Sequence, residues 1–324
     1  MQRREFIVGL GGMAVVWPDA TGAQQRGPAR RIGAFILAGP DQQLYVRALR
    51  EGLEALGWVD GKNIQVEYRW ATGDIDSLRS DAASLVALDA EVIVSGGTQP
   101  TIALREATER IPIVFVHVAD PVRGGLVQSL ARPEGNITGF AAYESSIAGK
   151  WLELLKEIAP GVKHVLVLVG PNPTWRMHVQ TMETAAPSFE VQLTIAHVQN
   201  AAEIEPAINA FAGADSAIIV LPDNMLFENH EHIIALAAKH RLPDIYANDL
   251  SLQIGGLLRY SSDWPDLYRR AASYVDRILK GAKPGELPIQ QPIKFQLIIN
   301  LKTARALGLE VPPALLARAD EVIE

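Results

Sequence analysis

EVIVSGGTQPTIALREATERIPIVFVHVADP, residues 91–121, contains one complete turn of an α/β fold. EVIVS is a short β-branched run that ends at a glycine pair. Gln99 to Arg110 has helical period, and IPIVFVHV is a second apolar run. Neither run alternates with polar residues, as expected of parallel strands covered on both faces. Two parallel neighbours need a crossover, and the helix between them supplies it.

The same unit recurs outward in both directions. Upstream, RRIGAFIL, a helix from Asp41 to Leu56, the alternating strand Asn63 to Trp70 and a helix from Asp74 to Leu88 precede it, and NITGF (136–140) follows as a short strand. The pattern then restarts. An amphipathic Trp151 to Ile158, HVLVLVG, a helix from Thr174 to Ala186, VQLTIAHV, a helix from Ala201 to Phe211, SAIIVLP and a helix from Glu228 to His240 form a second series. DIYAN, GGLLRYS, a long helix from Trp264 to Leu279, the Gly/Pro-rich GAKPGELPIQQP, KFQLIIN and tail helices close the chain. Strands alternating with helices give parallel sheets, and two such series give two doubly wound lobes. The fold class is therefore α/β, with two doubly wound lobes.

The N-terminus has another character. MQRREFIVGLGGMAVVW puts Arg3 and Arg4 before an uncharged run, followed by Thr21-Gly22-Ala23. This is the layout of a secretory signal over residues 1–23, and the arginine pair suggests the twin-arginine route. Cleavage is expected after Ala23; an uncut membrane anchor is the alternative. The chain has no cysteine, so disulfides and a lipid-anchoring thiol are both excluded. With a net charge of −7 and no basic stripe after the signal, nucleic acid is not an expected partner. We expect a soluble periplasmic monomer without a lipid anchor and without a cofactor.

Parallel sheets bind ligands at the carboxyl ends of their strands, beside helix N-termini that favour anions. The Ser95-Gly96-Gly97-Thr98 loop is such a place. A small carboxylate could take the amides of Gly97 and Thr98 and the Thr98 hydroxyl; plain helix capping by Thr98 is the other reading. Asp120 could hold an ammonium or cap the next turn. From the second series, Asn172 and Thr174 in the Gly170–Thr174 loop, Asp223, Asn224 and Asn248 offer polar groups or turns. Tyr143, Trp175, Phe227, Tyr260 and Trp264 sit on loops or element ends and could wall an apolar pocket. Glu228, His230 and His232 read as a solvated helix start, because histidines two apart face different ways. His117 could act as a base, but no Gly-x-Ser-x-Gly elbow accompanies it, and an enzyme is not expected.

The stretch IPIVFVHVADPVRGGLVQSLARPEGNITGF resembles the hallmark segment of the ABC-transporter substrate-binding family that includes tryptophan- and tyrosine-type binding proteins. GLEALGWVDGKNIQVEYRWATGD and QQPIKFQLIINLKTARALGLEVPPALLARADEVIE resemble it too, as does the opening MQRREFIVGLGG. The resemblance implies the type I periplasmic-binding fold, two lobes joined by three crossings, also used by the lac-repressor core. The crossings are expected near Phe140-Ala141, Ser261-Ser262 and Pro288 to Pro292, so the resemblance implies residues 31–139 plus 262–286 in one lobe and 140–261 plus 287–324 in the other. It also implies a receptor that closes on a small solute, an amino acid or aromatic acid, and delivers it to an ABC permease in the inner membrane. Carried over, the family's site falls on Ser95 to Thr98 as carboxylate cradle, on Asp120, and on Asn172, Asp223 and Asn248. Tyr246-Ala247-Asn248-Asp249 stands where relatives often carry a Phe-Arg-Glu-like stretch, so the resemblance leaves the solute open. A ligand-presenting sensor subunit is the alternative function, and an exported enzyme a remoter one.

Overall fold

Two sheets, each covered by helices on both faces, account for most of the chain. A computed structural model describes residues 29–37, 42–72, 75–142, 146–171, 175–247 and 250–324. The signal-like segment, Tyr143, Asn172, Thr174 and Asn248 lie outside the described residues. In the first lobe the elements run β1 (Arg30–Leu37), α1 (Gln42–Ala55), β2 (Ile64–Ala71), α2 (Ile75–Ala87), β3 (Val92–Gly96), α3 (Thr98–Ala107), β4 (Ile113–Val118) and β5 (Ile137–Ala141). The second series runs α4 (Ile147–Ile158), β6 (His164–Val169), α5 (Arg176–Ala185), β7 (Gln192–His197), α6 (Ile204–Phe211), β8 (Ser216–Val220), α7 (Asn224–Glu228), α8 (His230–His240), β9 (Asp244–Tyr246), α9 (Leu250–Gln253) and β10 (Leu258–Ser262). After these come α10 (Trp264–Leu279), β11 (Phe295–Asn300), α11 (Leu301–Leu307), α12 (Pro313–Leu316) and β12 (Glu321–Ile323).

The first sheet is ordered β2-β1-β3-β4-β5 and is parallel throughout. Its inner strands β3 and β4 are buried at every position, as their unbroken apolar runs require. The edge strand β2 is buried only at its ends, Ile64 and Ala71, and half-buried or exposed between them. The second sheet is ordered β12-β11-β10-β9-β8-β6-β7. It departs from the expected all-parallel pattern in one place, where β11 runs antiparallel to β10, with Leu258 opposite Ile299. The chain reaches β11 after α10 has returned to the first lobe, so β11 enters the second sheet from the hinge end.

Helix α10 packs on α1 and on β3, β4 and β5 of the first lobe. Its buried face (Trp264, Leu267, Tyr268, Ala271, Val275, Ile278) has the spacing of an amphipathic helix, and Asp263 caps it by accepting from the Asp266 N–H at 3.0 Å. Chain therefore crosses between the lobes after β5, after β10 and before β11, and the crossings are bonded to one another. The Ala141 N–H donates to the Gln290 carbonyl at 2.8 Å, and the Gln290 N–H donates to the Gly139 carbonyl at 3.0 Å. The Ser262 hydroxyl donates to the Ala142 carbonyl at 3.0 Å. No helix among the described residues is long and apolar enough to cross a membrane.

Candidate functional site

The carboxyl ends of β3 and β4 face those of β6 and β8 across a cavity between the lobes. The first lobe and the start of α10 contribute Gly97, Thr98, His117 and Trp264. The second lobe contributes Trp175, the Val220–Asn224 loop, and Leu226, Phe227, His230 and Ala247.

Gly97 makes the turn from β3 into α3. Its φ of 94° is a left-handed value that a glycine takes without strain. It occupies the N-cap of α3, and no side chain caps that end. Thr98 is thus the first helical residue and not the cap, contrary to the capping expectation. The Gly97 N–H also departs from expectation, because it is spent on the sheet, donating to the Val116 carbonyl at 2.7 Å. What remains open to the cavity is the first turn of α3, where the N–H groups of Thr98 and Gln99 have no intrahelical acceptor. The Thr98 side chain is 5% exposed and lines the cavity.

Ser95 is corrected in a similar way. Its hydroxyl is fully buried and lies 2.9 Å from that of Thr101, which donates to the Gly97 carbonyl at 2.7 Å. A carbonyl only accepts, so the proton order runs Ser95 to Thr101 to Gly97. Ser95 therefore supports the loop from beneath and does not line the cavity. Asp120 is displaced too. Its Oδ1 accepts from the Arg123 N–H at 3.0 Å, and its carboxylate pairs with the Arg123 side chain at 3.7 Å. It borders a separate depression with Arg123, Met177, His178 and Gln291. The cause is a register shift between Val116 and Val118, where His117 takes a φ of 66°. The bulge puts His117 at the cavity and carries the following residues past it.

His117 is 7% exposed and has ring contacts with Trp264 at 4.2 Å, Tyr268 at 5.1 Å and Tyr45 at 5.5 Å. Neither ring nitrogen has a hydrogen-bond partner among the described residues. Burial, and then the nearby Arg259 charge, push its pKa down to about 3, so the imidazole is neutral at neutral pH.

In the second lobe Asp223 caps α7, accepting from the Met225 N–H at 2.9 Å. It can sit there because residue 170 is glycine. A Cβ on Gly170 would stand 2.2 Å from the Asp223 Cγ. Asn224 follows at the cavity wall. Trp175, Phe227 and Trp264 supply the aromatic surface, whereas Tyr260 stacks on Phe295 at 5.8 Å and is not part of the wall. His230 is the residue that sequence reasoning missed. It is 6% exposed, while His232, two positions on, faces solvent and lies 3.8 Å from Glu205. The signal for it was position, since it stands ten residues after the carboxyl end of β8, in the segment that leaves the strand end where a doubly wound sheet places ligands.

Two α/β lobes, joined by three crossings and facing each other across a cavity, define the type I periplasmic-binding fold. The chain belongs to the ABC transporter substrate binding protein family, whose profile matches residues 33–323. A Clostridioides difficile protein named tyrosine-binding protein is 27% identical over 261 residues, covering 80% of this chain and 75% of that one. A conserved domain protein from Vibrio cholerae is 30% identical with a TM-score of 0.85, covering 91% of this chain and 100% of that one. An ABC domain from Streptococcus pneumonia, crystallised in complex with L-Trp, is 24% identical with a TM-score of 0.85, covering 91% and 100%.

Proposed function

We propose that the chain is the extracytoplasmic receptor of an ABC uptake system, closing its lobes on an aromatic amino acid and handing it to a permease in the inner membrane. The observation that carries this reading is the uncapped N-terminus of α3, which opens into a cavity walled by Trp175, Phe227 and Trp264. A helix N-terminus without a side-chain cap favours an anion, by up to about 2 kcal/mol where partly buried. A carboxylate there takes the Thr98 and Gln99 amides and the Thr98 hydroxyl, while an aromatic side chain lies against the second lobe. The named ligands of two relatives, tyrosine and L-Trp, support this solute class. Binding involves no covalent step. The mature protein acts as a soluble monomer released by cleavage of the N-terminal signal, and ligand contacts on both lobes stabilise the closed form.

Calorimetry with L-tryptophan, L-tyrosine and their carboxamides tests the reading. The free acids should bind at least about tenfold tighter than the amides, consistent with charge-assisted bonds to the carboxylate. Small-angle scattering should show a smaller radius of gyration at saturation. Equal affinity of acid and amide would remove the anion site.

A further inference from the structure

His230 opens α8 from within the cavity wall and is 6% exposed. Its Nδ1 meets the main-chain carbonyl oxygen of Phe227, one turn back. That oxygen can only accept, so the proton of the ring belongs on Nδ1. In the tautomer with that proton on Nδ1, Nε2 carries a lone pair and no hydrogen. Nε2 is buried and has no hydrogen-bond partner among the described residues. Phe227 and Leu226 beside it cannot supply a donor, and the cavity that His230 lines gives an entering solute access to this acceptor.

The first lobe cannot satisfy this nitrogen with the solute's carboxylate, which is itself an acceptor and sits at α3. His230 belongs to the opposite lobe, among the aromatic residues that enclose the side chain. We propose that His230 Nε2 accepts a hydrogen bond from a donor on the solute's ring, an indole N–H or a phenol O–H, and so selects donor-bearing aromatic amino acids over those with a bare ring. This assignment rests on the aromatic-amino-acid reading above. It makes His230 a specificity-determining residue. A site built around a buried acceptor rejects an analogue that lacks the donor much more strongly than it rejects a small change in apolar bulk.

The experiment compares two isosteric pairs on the wild-type protein by calorimetry. L-tryptophan is set against L-3-benzothienylalanine, in which sulfur replaces the indole N–H, and L-tyrosine against L-phenylalanine. We expect about tenfold or greater preference for the donor-bearing member of whichever pair binds, and that pair distinguishes indole from phenol. In His230→Phe, checked for folding by circular dichroism and thermal unfolding, the preference should disappear because the donor ligand weakens while its bare-ring partner does not. Should the variant fail to fold, the wild-type pairs still decide, together with two-bond proton–nitrogen NMR of the His230 ring. That spectrum should show Nδ1–H and a bare Nε2 that shifts on binding. Equal affinity within both pairs, or equal weakening of donor and bare-ring ligands in His230→Phe, would overturn the assignment and leave the aromatic reading standing. If neither tryptophan nor tyrosine binds, the functional reading falls and the assignment with it.

Discussion

The hydroxyl pair beneath the α3 loop lends itself to a double-mutant cycle. Ser95 donates to Thr101, which donates to the Gly97 carbonyl, and both side chains are fully buried. Thr101→Val keeps the shape but removes the bond to Gly97, about 1 kcal/mol, and leaves the Ser95 hydroxyl buried without an acceptor, about 1–3 kcal/mol more. The total is about 2–4 kcal/mol. Ser95→Ala removes one neutral bond and strands no donor, since Thr101 still reaches Gly97, so it should cost about 1 kcal/mol. The double variant loses both bonds and buries no orphaned hydroxyl, at about 2 kcal/mol. The singles should therefore sum to more than the double by about 1–3 kcal/mol. Urea unfolding monitored by tryptophan fluorescence gives all three values from midpoints at constant slope. Additivity within about 0.5 kcal/mol would refute the proton order Ser95 to Thr101 to Gly97, and with it the argument that Ser95 serves the loop from below.

Further outcomes follow at the cavity. Thr98→Ala should weaken binding of the cognate amino acid about tenfold while leaving stability nearly unchanged, because Thr98 does not cap α3; calorimetry and thermal unfolding together check this. Gly97→Val should weaken binding further, since a β-branched residue resists a φ of 94°. Gly170→Ala should push Asp223 off the Met225 N–H, with loss of about 1 kcal/mol of cap energy and a lower ligand affinity. The pH response has two opposing sources. His117, held near 3, cannot take the proton that an unfolded histidine binds below its usual 6.5, so its contribution to stability grows as pH rises from about 3 to 6.5. Asp244, raised by burial to about 7, keeps a proton that the unfolded residue gives up above 3.8, so its contribution shrinks as pH rises from there. Between pH 4 and 6 the two slopes, each up to about 1.4 kcal/mol per pH unit, nearly cancel. His117→Asn, which tolerates the left-handed backbone, should therefore lose stability steadily from pH 4 to 6 relative to wild type, measured as urea midpoints. Parallel profiles would contradict a neutral buried His117.

The elements were largely legible because their chemistry is local. The run RRIGAFIL coincides with β1 residue for residue, and Trp264 to Leu279 is α10 at both ends, where Asp263 supplies the cap and Lys280-Gly281 the stop. The direction of β11 was not legible, since a strand's composition is the same whichever way it runs. β12, only three residues long, was too short to show a period. At the site, Gly96-Gly97-Thr98 pointed to a loop that lines the cavity, but which amide is free depends on the Val116 carbonyl of a neighbouring strand. The place of Asp120, at a neighbouring depression, was not legible because a bulge at His117 leaves no mark in sequence. His230 lay hidden in a polar stretch whose composition does not show that it packs on Phe227 at the cavity wall.

The return of α10 to the first lobe has a consequence for how the chain is made. Residues 30–141 leave the ribosome with every strand of the first sheet but without the helix that covers α1, β3 and β4. Val94, Val116 and Tyr45 stay partly uncovered until residue 279 has been synthesised. The amino-terminal lobe is thus first to be translated and among the last to be completed. A chain stalled or clipped before α10 presents a wet apolar face, a natural target for chaperones and proteases. Quality control of the new chain can therefore act on one event, the docking of a single late helix.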